Sequence, residues 1–554
     1  MALTRQTKPL ADMLLEQGMV TPDQLQSAQA EAAKSGQPLK QVIIQKGLMT
    51  ERDLSALVAA QTGVTHIDLS TYLIKPEIVQ LVPEALARKH TLMPVFKIGE
   101  TLTVAMDDPL NFFGIDELRL KTKCEIKSVV ADTSSIRQAI DQYYGAAGTI
   151  AEVAQAIQEA ALPKKDEEAA GEAPIIRLVN LLIMQAVKEG ASDIHLEPGD
   201  GVLRTRFRVD GVLREVNGPP AHLHSAVVSR IKVLAQMDIA EKRKPQDGRF
   251  QLKMEGKGID LRVSAVPTQF GEKIVMRLLD SANALLSLEQ LGLDEALRQR
   301  WSKLITTPHG ILLVTGPTGS GKTTTLYAAL GLINSAELNI ITIEDPVEYR
   351  LPGVNQVQVN PKAELTFASA LRSFLRQDPN VIMVGEVRDR ETAEIAIQAA
   401  LTGHLVFSTL HTNDAPGSLT RLIDMEIEPF LIASSVVAVL AQRLVRVICQ
   451  KCKEPSRPPA SLIQEFQLKE SAQLFRGKGC PSCKKSGYKG RVGIFELLLM
   501  DQAVKDLIVS RQPAHVIREA ARKAGMRTLR EDGLAKVLAG VTTMEEVLRV
   551  TQLE

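Results

Sequence analysis

Residues Gly316-Pro317-Thr318-Gly319-Ser320-Gly321-Lys322-Thr323 have the spacing of a complete phosphate-binding loop. The apolar run Ile311 to Val314 in front of it reads as a buried parallel strand, and Thr324 to Leu332 behind it reads as a helix. A polyphosphate is dense in negative charge, so holding one takes many converging N–H donors and a cation. Glycines at 316, 319 and 321 let the backbone curl with no Cβ in the way, and the amides then point inward at a helix N-terminus. Lys322 reaches the β- and γ-phosphates, the Thr323 hydroxyl ligates Mg²⁺, and Thr324 completes the predicted contacts to ATP.

Hydrolysis of a phosphoanhydride also requires a carboxylate to orient water and cations to offset charge on the γ-phosphate. Val381 to Val384 is a second apolar strand and ends in Gly385-Glu386, the layout of a Walker B element. The aspartate that usually precedes this glutamate is replaced by Gly385, so Glu386 is left to serve the Mg²⁺ shell, the attacking water, or both. A third apolar strand, Ile340 to Ile343, ends in Glu344-Asp345-Pro346-Val347-Glu348, and Glu344 is the second candidate for positioning the water. His404 and His411 stand at the two ends of a further strand. A lone histidine is more often structural, but the flanking Ser408, Thr409 and Thr412 favour a sensor of the γ-phosphate.

Four of the five cysteines pair as Cys449-x-x-Cys452 and Cys480-x-x-Cys483. This spacing predicts a tetrahedral Zn²⁺ site, closed and therefore structural, within an insert at about 449–493. Reduced core cysteines or a redox pair are the competing readings. Cys124 stands alone and reads as a small core residue.

The positioning elements must come from a chain of 554 residues, long enough for about three to four domains. It is 45% hydrophobic and 24% charged, an ordinary globular composition. A net charge of +1 and 4% aromatic content leave no basic, aromatic-interleaved stripe, so nucleic acid is not an expected partner. No apolar run approaches the roughly 20 residues that span a bilayer, and the N-terminus lacks the apolar centre of a secretory signal. These features point to a cytosolic chain whose membrane contact is peripheral and runs through partners.

The first sixty residues repeat with a period of 29: Leu10, Leu14, Gly18, Met19, Thr21 and Leu25 match Leu39, Ile43, Gly47, Leu48, Thr50 and Leu54. Each copy reads as helix, glycine cap, threonine cap, helix, and Thr21-Pro22-Asp23-Gln24 fits a capping box. Residues 66 to 143 mix strands and helices, so 1–145 is predicted as a helical repeat plus a small α/β lobe. Residues 146–172 read as a polar linker. A second domain spans 173–288, and the phosphate-loop domain spans 289–554 with a helical end from Asp501.

The order of these motifs resembles the secretion ATPases of type II secretion and type IV pilus assembly. The resemblance runs through Ala191-Ser192-Asp193-Ile194-His195-Leu196-Glu197-Pro198, Arg206-Phe207-Arg208-Val209-Asp210-Gly211, Gln246-Asp247-Gly248-Arg249 and Gly271-Glu272-Lys273. It continues through the phosphate loop, Phe374-Leu375-Arg376-Gln377-Asp378-Pro379, Gly385-Glu386-Val387-Arg388-Asp389 and Ser408 to Asp414. It implies an α/β protein: a RecA-like P-loop ATPase domain, a PAS-like α/β domain before it, and the tetracysteine zinc insert, which resembles assembly motors. It further implies a homohexamer that hydrolyses ATP to assemble a pilus or pseudopilus through an inner-membrane platform protein. A RecA-like nucleic-acid translocase is the alternative.

By motif position, Arg249, Arg262 and Arg277 become candidate phosphate-reaching arginines, with a salt bridge inside the small domain as the competing reading. Arg206 and Arg208 become candidates for the base or ribose. The two domains are expected to move about a hinge near Leu288 to Leu291. The N-terminal repeat also resembles a module that binds cyclic di-GMP. Where that module has Arg-Leu-Gly, this chain has Pro9-Leu10-Ala11 and Pro38-Leu39-Lys40. The stacking arginine and close-approach glycine are missing, so docking onto the platform is the favoured expectation and cyclic di-GMP binding the less favoured alternative.

Overall fold

The computed structural model describes residues 11, 14–15, 19–35, 39–144, 172–280, 286–456 and 473–551. The predicted linker up to residue 171 lies outside them, as do Pro9, Leu10, Gly18 and Pro38 of the repeat. The chain divides into two compact units, Met1–Ala282 and Asn283–Glu554.

In the first unit the repeat forms helices α1 (Pro22–Ser35), α2 (Leu39–Gln45) and α3 (Glu51–Thr62). The capping box forms as predicted: Thr21 N donates to Gln24 Oε1 at 2.9 Å and Gln24 N donates to Thr21 Oγ1 at 3.3 Å. The equivalent repeat positions Leu14 and Ile43, and Leu25 and Leu54, bury together in one small core. Next comes β1 (Tyr72–Leu73), then a lobe whose sheet contains β2 (Leu92–Ile98), β3 (Thr101–Met106) and β4 (Glu125–Val130). Cys124 is buried in the core of that lobe.

The apolar helix α4 (Glu172–Lys188) then packs on a sheet of β5 (Ala191–Pro198), β6 (Leu203–Val209), β7 (Val212–Val216), β8 (Gln246–Met254), β9 (Lys257–Thr268) and β10 (Gly271–Asp280). The sheet order is β1-β8-β9-β10-β5-β6-β7. Strand β1, from the N-terminal lobe, thus completes a sheet predicted to belong to a separate domain. Tyr72 pairs with Lys253 and Leu73 with Met254, in parallel. The reason is edge chemistry: β8 without a neighbour would show a row of unpaired N–H and C=O groups.

The second unit begins earlier than expected. Leu288 and Leu291 bury with Leu293, Trp301 and Ile305, and Gly493 N donates to Leu291 O at 2.9 Å. The residues assigned to a hinge are therefore core of this unit, and the division falls at Ala282 and Asn283. Its sheet has the order β13-β12-β14-β15-β11-β16-β19. The strands are β11 (Gly310–Thr315), β12 (Ile340–Glu344), β13 (Asn355–Gln358), β14 (Val381–Val384), β15 (Leu405–Leu410), β16 (Val436–Ile448) and β19 (Tyr488–Leu499). All pairs are parallel except β16 with β19. Helix α5 (Lys322–Ile333) carries the chain from β11 to β12, past β14 and β15. That crossover leaves the C-terminal ends of β11, β12, β14 and β15 on one edge, where ligands of open α/β sheets bind.

Between β16 and β19 sits the insert, with the short pair β17 (Lys453–Ser456) and β18 (Leu474–Gly477). Because Tyr488 already pairs with Ile448, the insert closes at about residue 487, short of the predicted 493. Four helices follow Asp501, as the periodicity predicts. One of them supplies Glu546, whose buried carboxylate accepts from Arg446 N at 3.1 Å and Arg446 Nη2 at 2.6 Å, clamping the root of the insert. Among the described residues no helix is long and apolar enough to cross a membrane.

Candidate active site

The loop leaves β11 at Thr315 and enters α5 at Lys322, with Gly321 as the N-cap at φ 89°. Lys322 is only 9% exposed, and its Nζ donates to Gly316 O at 2.8 Å and Pro317 O at 3.2 Å. Burial lowers its pKa to about 8; the Glu386 charge opposes this and the Arg443 charge adds to it. A bound polyphosphate favours the ammonium form, so the pKa rises on binding. At pH 9 nucleotide binding is therefore expected to take up close to one proton, and at pH 7 almost none. Affinity should be full below pH 8 and fall as pH rises above it. Calorimetry of ADP binding in buffers of different ionisation enthalpy measures the uptake directly, and equal uptake at both pH values would remove Lys322 from the phosphate contacts.

Glu386 follows β14, as the sequence predicts. Its side chain is 12% exposed and lies 3.1 Å from His411 Nε2 and 2.5 Å from Arg388 Nη2. Strand β15 brings His411 there and is locked to β14 by hydroxyls: Ser408 Oγ donates to Val384 O at 3.0 Å and Thr409 Oγ1 to Gly385 O at 2.7 Å. Gly385 has a packing reason for replacing the usual aspartate. A Cβ there would lie 3.3 Å from Ile343 O and 3.4 Å from Glu344 Cα.

Two predicted site residues are placed otherwise. Glu344 is 3% exposed, and its carboxylate accepts from Thr342 Oγ1 at 2.6 Å, Gln356 Nε2 at 3.1 Å and the Tyr327 hydroxyl. A water at this carboxylate has to displace one of these internal donors. His404 is the plainer correction. It precedes the six-residue strand β15 and so lies about 20 Å from His411, at the opposite edge of the sheet. Its Nδ1 makes a 2.9 Å bond to Ala399 O. It satisfies a carbonyl near a helix C-terminus, away from the phosphate loop.

The candidate arginines belong to the first unit and fall into one row of its sheet. Arg249 is in register with Arg262, Arg262 with Arg277, and Arg277 with Asp193. Directly paired residues share a face, so three guanidinium groups stand side by side. Arg277 Nε donates to Asp193 Oδ1 at 3.0 Å. Arg208 also faces Asp193, at 3.5 Å, and Arg206 pairs with Glu197 at 2.8 Å. Carboxylates within the domain thus engage Arg277 as well as Arg208 and Arg206, the salt-bridge reading that competed for the first of them.

The cysteine prediction can be tested on geometry. Cys449 and Cys480 Sγ are 3.9 Å apart, Cys452 and Cys483 3.8 Å, and Cys480 and Cys483 3.7 Å. A tetrahedral Zn²⁺ with bonds of about 2.3 Å separates its sulfurs by about 3.8 Å. Backbone N–H groups of Gly479, Cys480 and Gly487 donate to sulfur at 3.1–3.3 Å, the outer contacts that thiolates require. The residues fit the metal.

Sequence reasoning missed Arg388, Tyr327, Gln442 and Arg443. Gln442 and Arg443 are 1% and 8% exposed beside the loop, and their signal was a polar pair interrupting the apolar run of β16.

A family model described as "Type II/IV secretion system protein" matches residues 168–549, and one described as "MshEN domain" matches residues 62–150. The second match begins after the helical repeat and falls on the α/β lobe. The chain is 45% identical over 560 residues to the type IV pilus assembly ATPase PilB of Myxococcus xanthus, covering 97% of this chain and 98% of that protein. It is also 45% identical over 561 residues to the type II secretion system protein E of Xanthomonas campestris pv. campestris, covering 98% of each. Among solved structures, the ATPase DotB of Yersinia pseudotuberculosis shares the fold, with a TM-score of 0.52 at 21% identity over 71% of this chain and 96% of that one. With the loop, the Walker B carboxylate and its histidine gathered at one sheet edge, and with these matches, the chain belongs to the type II/IV secretion system protein family as an ATP-hydrolysing P-loop enzyme.

Proposed function

We propose that this ATPase drives assembly of a type IV pilus or a type II secretion pseudopilus. It acts as a ring of six chains on the cytoplasmic side, against an inner-membrane platform protein. The observation that carries the reading is the joint placement of Lys322, Glu386 and His411 at one edge of the sheet. Similarity over nearly the full length of both kinds of relative supports it.

In this reading Thr323 and Glu386 would hold Mg²⁺, which would supply charge neutralisation to the polyphosphate. Lys322 exchanges its carbonyl partners for those oxygens. Glu386 accepts a proton from the attacking water, while Arg388 and His411 hold its carboxylate in position. His411, sharing a bond with Glu386 on a separate strand, registers departure of the γ-phosphate. Arg249, Arg262 and Arg277 supply further cations, as the family resemblance implies, and Arg277 would leave Asp193 to do so. Zn²⁺ at the four cysteines is structural. The N-terminal region docks to the platform; at the triplet positions where the cyclic di-GMP module has its stacking arginine, this chain has Pro9 and Pro38.

The test is genetic. Lys322→Ala in the source organism should abolish surface filaments or exoprotein secretion while the chain still accumulates. Retention of both would overturn the proposal.

A further inference from the structure

Strand β16 is apolar from Val436 to Val445 apart from Gln442 and Arg443. A buried amide in a central strand costs free energy unless it is hydrogen-bonded. Gln442 is 1% exposed and lies outside every nucleotide-binding motif of the chain. Its Nε2 donates to Ser320 O at 2.8 Å, and its Oε1 accepts from Thr325 Oγ1 at 2.6 Å. One side chain thus ties the last turn of the phosphate loop to the first turn of α5, on either side of Lys322 and Thr323.

The loop is also fitted onto this residue. A Cβ at Gly316 would lie 2.5 Å from Gln442 O, and one at Gly321 would lie 2.9 Å from Gln442 Nε2. Gly316, at φ 148°, thus makes room for the backbone of residue 442, and Gly321, at φ 89°, for the Gln442 amide itself. The amide's two ends are not interchangeable. The carbonyl of Ser320 needs a donor, and the hydroxyl of Thr325, which is fully buried, needs an acceptor.

We infer that Gln442 is a positioning residue for nucleotide binding: it holds the phosphate loop in its binding shape, so that little ordering is left to do when a polyphosphate arrives. The benefit of such preorganisation goes to affinity. The loop has the same shape around ground state and transition state, so kcat is largely spared.

The test uses the full chain, with ADP binding by calorimetry and steady-state ATP hydrolysis. Gln442→Glu keeps the size and the acceptor for Thr325 but sets an oxygen against Ser320 O. Gln442→Met keeps the shape and loses both bonds. Both should raise the ADP Kd and the ATP KM about tenfold, the effect of one or two buried hydrogen bonds, with kcat within about threefold. Thr325→Val should raise Kd by a smaller factor and add almost nothing on top of Gln442→Met, because both remove the same bond. Unchanged Kd and KM with a lower Tm would reduce Gln442 to a structural brace and overturn the inference. A fall in kcat at constant KM would overturn it equally. Should Gln442→Met fail to fold, Thr325→Val alone decides, and an unaltered ADP Kd in that variant sinks the idea.

Discussion

Glu386→Gln is expected to lower kcat for ATP hydrolysis by roughly 10²- to 10⁴-fold, the range of a lost general base. The amide keeps the size of the side chain and can still bond to His411 and Arg388, but it cannot accept the proton of the attacking water. Stability should barely change. The two partners are 47% and 64% exposed, and ion pairs with such groups contribute about 0–1 kcal/mol. ATP should still bind, so KM should move by only a few-fold. Turnover within threefold of the parent would remove Glu386 from the chemistry. Glu344→Gln is the informative companion: that carboxylate holds Tyr327, Thr342 and Gln356, so its loss should show as a lower Tm.

Removing zinc is the second large effect. The insert's only described sheet is the two-stranded pair β17 and β18, each of 4 residues, too little to stand alone. Metal binding to such a module is worth on the order of 10 kcal/mol. Cys480→Ser combined with Cys483→Ser should leave the purified chain without zinc and open residues 449–456 and 473–487 to rapid hydrogen exchange. The effect should spread to the helical end, since Ile448 N donates to Val541 O at 2.9 Å and Tyr488 bonds Thr543 at 2.8 Å. A zinc-free variant with the parent's exchange pattern and Tm would show that the four thiols hold the fold without a metal.

Much of this site was legible because its chemistry is local. Glycine spacing, apolar runs ending in carboxylates and paired C-x-x-C knuckles each state a requirement within a few residues. What escaped depends on distant partners. Gln442 is separated from Ser320 by more than a hundred positions, and no local pattern announces their bond. His404 looked equivalent to His411 because both flank one strand, but a parallel strand has only one end at the phosphate edge. Leu288 and Leu291 sit between two domain-like stretches, so they read as a hinge until Trp301 and Ile305 are seen to bury them. Strand β1 is two residues long, too short for any period to show.

That two-residue pairing also has a mechanical meaning. Where β1 meets β8, the N-terminal lobe and the sheet share two residue pairs, the Lys75–Glu255 contact at 2.6 Å and Lys253 over the Tyr72 ring at 5.3 Å, and beside them Lys188 of α4 pairs with Glu77 at 3.5 Å. Tension on the lobe loads this seam in shear, along the strand direction. The seam is far shorter than the ladder of β8 with β9, so under such tension it would part before that ladder does. Until it parted, a pull on the lobe would reach β8, the strand that carries Arg249.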